Sequence, residues 1–241
     1  MRLDRLLAEL GYGSRKEIRE LVRAGRVHVD DRIVKEPETK LSGQEEVRLD
    51  GTLLASEAPK PVIYMLNKPA GYLTAVRDSR YPVVTELLKD VLREVMPVGR
   101  LDLYTEGLLL FTDDGVLAHK LLSPRYRMPK TYYVETDRPI PEETAEILSK
   151  PVVFKEFTSL PGKYVKLTER SAYLTVFEGK YHEVKRLFHA AGCEVTYLKR
   201  VAFGPLTLSD LPAGAYRVLE KEEEEALRAC LSKDQNPENN E

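Results

Sequence analysis

The apolar residues of this chain come in short runs, and this feature limits the folds that it can adopt. From residue 61 onward the runs have the length of strands and are bounded by turn-forming residues, as at residues 62–67 and 108–112. Apolar residues at helical spacing alternate with them, as at residues 83–95 and 182–191. No run approaches the 18 or so residues of a membrane span, and the N-terminus lacks the apolar segment of a secretory signal. We therefore expect a strand-rich α+β protein in the cytoplasm, with 42% apolar residues to build its core.

Several kinds of chemistry leave no motif in the sequence. Two cysteines, Cys193 and Cys230, are too few for a disulfide framework, and the four histidines form no metal-binding pattern. Neither a GxxxxGK[ST] loop nor a GxGxxG motif between a strand and a helix is present. We therefore expect catalysis by side chains alone, with no metal and no cofactor.

The first 35 residues combine two helices, a hairpin and an excess of positive charge. Ser14 and Glu17 form a capping box for the second helix, which ends before Gly25, and residues 27–34 alternate as a tight hairpin. Nine lysines and arginines stand against six acids in this segment. Five of the basic residues surround the second helix: Arg15, Lys16, Arg19, Arg23 and Arg26. Such a cluster suits RNA phosphates, and an ordinary solvated helix face is the alternative.

The opposite end of the chain is acidic. Residues 220–241 hold eight acids against three bases, which predicts a solvated helix end and then a disordered tail over residues 233–241. Residues 51–60 have the composition of a linker. We therefore expect an N-terminal domain over residues 1–58 and a larger domain over residues 59–232.

Three polar stretches of the larger domain hold the candidates for chemistry. Asp102 lies in a loop between two leucines that could keep its carboxylate partly desolvated, and a turn-forming aspartate is the alternative. Tyr132 lies near the start of a strand, where it either packs in the core or presents its ring to a flat ligand. Lys185 lies at the edge of the buried stripe of a helix, where it either covers core atoms or pairs with a carboxylate in a cleft.

The order of these motifs along the chain resembles a known family. Gly-Arg-Leu-Asp-x-x-Thr-x-Gly-Leu-Leu-Leu from residue 99, Lys-Thr-Tyr from residue 130 and Gly-Lys-Tyr-His-Glu-Val-Lys-Arg from residue 179 resemble the three active-site motifs of pseudouridine synthases. The first 50 residues resemble the S4 RNA-binding domain. Leu-Asn-Lys-Pro-Ala-Gly-Tyr from residue 66 and Ser-Pro-Arg from residue 123 narrow the resemblance to the branch of ribosomal small-subunit pseudouridine synthase A.

The resemblance implies a fold and a reaction. The fold would be a small S4-like (αL) domain followed by a catalytic domain on a mostly antiparallel mixed β-sheet with flanking helices. The reaction would break the C1′–N1 bond of a uridine flipped out of folded RNA and rejoin the base through C5. By motif position Asp102 either attacks C1′ or traps a glycal-type intermediate. Tyr132 would pack against the uracil and could transfer the C5 proton, and Lys185, an arginine in many relatives, would pair with Asp102.

The resemblance also implies residues that hold the RNA. Arg100 is expected to fill the gap left by the flipped base or to clamp a phosphate. Further candidates for contacts to the RNA backbone, each with ordinary surface charge as the alternative, are Lys68, Arg125, Arg127, Arg186 and Arg200. The expected partner is 16S rRNA, naked or in a partly assembled small subunit. We expect it to be bound by a monomer that contacts no membrane, and a related uridine of 23S rRNA is the alternative target.

Two other functions are compatible with parts of the pattern. A non-catalytic RNA-binding protein would use the S4-like segment and tolerate loss of Asp102. A glycoside hydrolase could pair Asp102 with Glu106 or Asp113, but it leaves the basic N-terminus unexplained, and the chain has no tryptophan for a sugar platform. We therefore favour an enzyme that isomerises a uridine of ribosomal RNA.

Overall fold

A computed structural model describes three stretches of the chain: residues 1–54, 61–91 and 93–232. The predicted disordered tail over residues 233–241 lies outside the described residues, as does most of the predicted linker. None of the helices in the described stretches combines the length and the apolar content needed to cross a membrane. The chain divides into two compact units, Met1–Lys60 and Pro61–Glu241.

The N-terminal unit consists of two helices and a four-stranded antiparallel sheet in the order β2-β1-β3-β4. Its elements are α1 (Leu3–Glu9), α2 (Arg15–Arg23), β1 (Val27–Val29), β2 (Arg32–Val34), β3 (Val47–Leu49) and β4 (Thr52–Leu53). Apolar side chains of both helices and of the sheet share one core. The capping box of Ser14 and Glu17 is present, and Asp30 and Asp31 form the hairpin turn with positive φ angles of 47° and 61°.

The prediction of a linker over residues 51–60 is wrong for its first part. Residues 52–53 form β4, which pairs with β3, and Leu54 is buried. The turn between these strands is formed by Asp50 and Gly51, both with positive φ. An Asp-Gly pair is a strong hairpin signal, and here it outweighs the linker-like composition that follows it.

The larger unit is built on a nine-stranded mixed sheet. Its strands are β5 (Ile63–Lys68), β6 (Met96–Val98), β7 (Glu106–Thr112), β8 (Lys130–Thr136), β9 (Lys163–Lys166), β10 (Ser171–Val176), β11 (Val195–Phe203), β12 (Leu206–Thr207) and β13 (Tyr216–Val218). Its helices are α3 (Gly115–Leu122), α4 (Thr144–Leu148), α5 (Glu183–Ala190) and α6 (Lys221–Ser232). The sheet order is β13-β5-β7-β11-β8-β10-β9, with β6 paired to β7 and β12 to β11. Only β7 and β11 are parallel among the described pairs, so the predicted mostly antiparallel α+β fold is confirmed.

Both faces of the sheet are covered by apolar side chains. In β7, Leu109 and Phe111 belong to one core cluster, whereas Leu108 and Leu110 belong to another. Successive strand residues point to opposite faces, so a strand buried on both sides needs a continuous apolar run. This burial explains the unbroken apolar sequence that predicted the strand.

The helix predicted over residues 83–95 does not form in the described residues of this segment, 83–91 and 93–95. A single 3-10 turn forms at Val84–Leu88, and the chain then enters β6, which pairs with β7. Leu87, Val91 and Val95 do pack against the core, which accounts for the helical spacing. Pairing at the sheet edge supplies hydrogen bonds to the backbone beyond them, and Pro97 is tolerated there because an edge strand leaves one side unpaired.

Gly107 allows the parallel pairing of β7 with β11. Its φ is +103°, and a Cβ at this position would lie 2.2 Å from the carbonyl oxygen of Arg200. Only glycine has both the required conformation and the required lack of a side chain. The close approach joins β7, which follows the loop of Asp102, to β11, which pairs with the strand of Tyr132.

Candidate active site

The loop that carries Asp102, residues 99–105, is held in place by hydrogen bonds from two side chains outside it. It connects β6 to β7, and the buried ammonium of Lys68 at the end of β5 donates hydrogen bonds to three of its carbonyl oxygens. Those carbonyls belong to Asp102 at 3.1 Å, Leu103 at 3.2 Å and Thr105 at 2.8 Å. The hydroxyl of Thr74 donates to the carbonyl of Leu101 at 2.8 Å. The loop backbone is therefore held by two side chains, those of Lys68 at the end of β5 and of Thr74 shortly after it.

Lys68 was expected to contact the RNA backbone, and the structure corrects this prediction. Its side chain is fully buried and its ammonium is engaged with backbone carbonyls. Burial lowers the pKa of Lys68 to about 8, although Glu106 and Asp102 favour the charged form. Lys68 supports the loop of Asp102 and does not reach the surface where a phosphate would lie.

The carboxylate of Asp102 lies between two basic side chains of another motif. Its Oδ2 is 3.2 Å from Nζ of Lys185, and its Oδ1 is 3.5 Å from Nε2 of His182. All three side chains are about one-third exposed, at 32%, 35% and 36%. The carboxylate is thus reachable from solvent while it is within ion-pair distance of Lys185.

A cavity of about 330 Å³ lies beside this carboxylate. Its wall includes Asp102, Lys185 and His182, and it also includes Tyr132 of β8 and the exposed Arg100. Tyr132 is 8% exposed and belongs to the core cluster on this face of the sheet, so it is at once a core residue and part of the wall. The structure therefore brings together all three residues predicted for catalysis.

The N-terminus of α5 determines where Lys185 and His182 point. Val184, Leu187 and Phe188 bury the inner face of the helix, which leaves Lys185 at the edge of the cavity. His182 immediately precedes the helix and has a left-handed backbone, with φ of 52°. This conformation is uncommon for a residue with a Cβ, and it occurs here at the mouth of the cavity.

Three buried charged residues in the cavity wall were not predicted to act together. They are Lys130, Glu183 and Arg200, which are 8%, 5% and 2% exposed. Burial raises the pKa of Glu183 to about 7. Burial, and then the neighbouring Arg200, lower the pKa of Lys130 to about 8. Strand alternation could have placed Lys130 in the cavity wall beside Tyr132, because residues 130 and 132 lie on the same face of β8.

Comparisons with known proteins identify the family of this chain. Residues 62–239 match the family model described as RNA pseudouridylate synthase, and residues 1–47 match that of the S4 domain. The first match covers well over half of the chain. The chain belongs to the RNA pseudouridine synthase family. The synthase is therefore an intramolecular isomerase, which converts a uridine of RNA to pseudouridine while the nucleotide stays in the RNA chain.

Individual relatives of the synthase carry different names. An uncharacterized RNA pseudouridine synthase of Aquifex aeolicus is 42% identical and covers 99% of this chain and all of that protein. Ribosomal small subunit pseudouridine synthase A of Escherichia coli K12 is 40% identical, with 92% of this chain and 98% of that protein covered. Ribosomal large subunit pseudouridine synthase B of Bacillus subtilis is 34% identical, with 98% of each chain covered. A crystal structure of a pseudouridylate synthase aligns with a TM-score of 0.66 at 32% identity, over 94% of this chain and 99% of that one.

The remaining RNA-contact candidates of the larger unit differ in their exposure. Arg125 and Arg127 are exposed beside α3. Nη1 of Arg186 is 2.8 Å from a carboxylate oxygen of Glu156, so the predicted contact of Arg186 to the RNA backbone would compete with this ion pair. The prediction for Arg200 is corrected, because it is buried and its Nε donates to the carbonyl of Leu108 at 2.7 Å.

The basic helix of the S4 unit presents most of its charge to solvent. Arg15, Lys16, Arg19 and Arg23 are exposed. Within residues 1–54 and the other described stretches, none of the four forms an ion pair. Arg26 differs, because its guanidinium makes two hydrogen bonds to the carboxylate of Asp50. Four of the five predicted contacts are therefore available for phosphates, and the fifth is already paired.

Proposed function

We propose that this synthase modifies a uridine of 16S ribosomal RNA. The relative named for the small subunit is 40% identical to this chain, and the relative named for the large subunit is 34% identical. The first of these values is the higher, and the motifs beginning at residues 66 and 123 favour the same branch. A uridine of 23S rRNA is the second candidate, because the large-subunit relative matches 98% of both chains.

The observation that carries the proposed mechanism is the Asp102–Lys185 pair at the cavity wall. An ionised carboxylate is the group that can act on C1′ while the C1′–N1 bond breaks. The ammonium of Lys185 is paired with this carboxylate without covering it, since Asp102 is still one-third exposed. The uracil then turns and bonds through C5. The proton lost from C5 balances the one gained at N1, so the whole sequence is an isomerisation.

Tyr132 is proposed to hold the detached uracil. It reaches the cavity from a buried strand, so its ring has little freedom to move. A ring fixed in this way can pack against a flat base, and its hydroxyl is a candidate for moving the C5 proton. Arg100 is exposed beside Asp102 at the cavity wall, where it can enter the gap that the flipped base leaves or bind an adjacent phosphate.

Asp102→Asn tests the assignment of the carboxylate. The change is nearly isosteric, so we expect the fold and the RNA affinity to be retained while pseudouridine formation falls at least a thousandfold. Release of tritium from C5-labelled uridine in rRNA transcripts measures the reaction. Asp90→Asn, at an exposed position away from the cavity, is the matched control and should keep full activity. Substantial activity in Asp102→Asn would remove this residue from the mechanism.

The choice of RNA is tested separately. Purified 16S and 23S transcripts, and partly assembled small subunits, are incubated with the enzyme and mapped chemically for pseudouridine. We expect a single modified uridine in 16S rRNA, and the same site should be unmodified in cells that lack the gene. Modification confined to 23S rRNA would refute the small-subunit assignment and leave the catalytic assignment intact.

A further inference from the structure

An exposed tyrosine stands at the rim of the active-site cavity. Tyr181 is 70% exposed, although it lies between two residues of the cavity wall, Lys180 and His182. Burial in the core therefore does not explain this aromatic side chain. Large exposed aromatic residues beside a site of single-stranded RNA chemistry commonly bind a base by stacking.

The Tyr181 ring is already ordered by its neighbours. It stacks on the ring of His182, with centroids 3.8 Å apart and planes 18° from parallel. His182 is in turn 3.5 Å from the carboxylate of Asp102. The orientation of Tyr181 is thus linked to the reacting group through one residue.

Arg186 supports the same ring. Its guanidinium lies 5.7 Å from the centroid of Tyr181 and 5.6 Å from that of Phe157, and it is paired with Glu156. These contacts explain why Arg186 is directed toward the protein. Most of the Tyr181 side chain stays exposed despite them, so a large part of its ring surface is open to a ligand.

We propose that Tyr181 is a stacking platform for the nucleobase next to the target uridine. A uridine that leaves its stack exposes the faces of its neighbours, and an ordered aromatic ring can cover one of those faces. The platform and the flipped uridine would then lie on either side of His182. This proposal rests on the RNA substrate of the family and is independent of the choice between 16S and 23S rRNA.

The chain has no tryptophan, so Tyr181→Trp introduces a single indole at the proposed platform, which can be excited at wavelengths that tyrosine does not absorb. The RNA probe is whichever rRNA transcript the wild-type enzyme modifies. We expect the emission to fall by half or more as the transcript binds, because a stacked base quenches indole. Tyr173→Trp, at a partly exposed position on β10 that is absent from the cavity wall, is the control and should change little. Unchanged emission from Tyr181→Trp while a gel shift shows bound RNA would overturn the proposal.

Kinetics on the same transcript provide the second measurement. Tyr181→Phe keeps the ring and should stay within twofold of the wild type. Tyr181→Ala should raise KM about tenfold with a smaller effect on kcat, because it removes a contact that forms on binding. An unchanged KM, or a loss confined to kcat, would contradict a role in stacking. Failure of the 16S assignment would instead appear as wild-type activity on a different transcript.

Discussion

Glu183 is the one acidic residue that is buried in the described stretches of the chain. It is 5% exposed at the cavity wall, and it accepts a hydrogen bond from the backbone N–H of Lys180 at 3.2 Å. Burial outweighs that bond and the attraction of Lys130, and raises the pKa of Glu183 to about 7. The folded protein therefore binds a proton more tightly at this position than the unfolded chain does.

The raised pKa of Glu183 predicts that this one residue makes the free energy of unfolding depend on pH. Between pH 4.5 and about 7 the unfolded chain has lost the proton and the folded protein retains it, so the contribution of Glu183 to stability falls as the pH rises. The full loss corresponds to about 3 kcal/mol. Glu183→Gln does not titrate, so urea unfolding at pH 5 and pH 7.5 should show the variant gaining on the wild type by about 2.4 kcal/mol. Parallel pH profiles would contradict the assignment.

The active site depends on how three elements meet. The loop of Asp102 leads into β7, Tyr132 lies on β8, and Lys185 lies on α5. β11 connects the first two because it pairs with β7 on one side and with β8 on the other. The parallel contact with β7 is short, and it passes through the one position where a side chain would collide with the backbone.

Gly107→Ala tests this junction. The new Cβ would overlap the carbonyl of Arg200 and would be held at positive φ, so we expect a loss of about 3 kcal/mol in the free energy of unfolding and a larger loss of activity. Gly214→Ala is the matched control, because that position also has positive φ but nothing lies within 4 Å of the new Cβ. It should lose about 1 kcal/mol. Equal losses in the two variants would show that the close approach to β11 is unimportant.

The sequence predicted elements well where one signal dominated. The apolar run of β7 and the capping box of α2 each have a single local cause, so both were found. The segment at residues 83–95 failed because apolar residues at helical spacing also fit an irregular segment packed on a core. Motif order identified Asp102, Tyr132 and Lys185. It did not reveal that the side chains of Lys68 and Arg200 are buried, because a sequence shows that a residue is charged but not whether it is buried.

At the scale of the whole molecule, the residues proposed for catalysis and those proposed to bind phosphates belong to different units. Asp102, Tyr132 and Lys185 belong to the unit from Pro61 onward, whereas the four exposed cations of α2 belong to the S4 unit. Cations that bind phosphates release counterions, so their contribution to affinity depends steeply on salt. The salt dependence of RNA binding should therefore belong mainly to the S4 unit.

The contribution of the S4 unit to this salt dependence is measured with a quadruple variant in which Arg15, Lys16, Arg19 and Arg23 are each changed to Gln. We expect the slope of log affinity against log salt concentration to become shallower by about 3, since each phosphate contact contributes roughly 0.7 to 0.9. Turnover of bound RNA should be unchanged. Arg26→Gln is the control, because Arg26 is paired with Asp50, and its slope should change by well under the roughly 0.7 expected of one phosphate contact. Deletion of residues 1–58 should resemble the quadruple variant, and an unaltered slope in both would place the RNA anchor elsewhere.

The hydrogen bonds from Lys68 and Thr74 to the Asp102 loop have a consequence for how the enzyme selects its target. These bonds are internal to the chain, so the entropy lost in ordering the loop is lost once, when the protein folds. On the proposed role of Asp102, an arriving uridine meets a rigid acid and has to adapt to it. We therefore expect the converted uridines to lie in weakly stacked or distorted segments of RNA, where a base leaves its stack most readily.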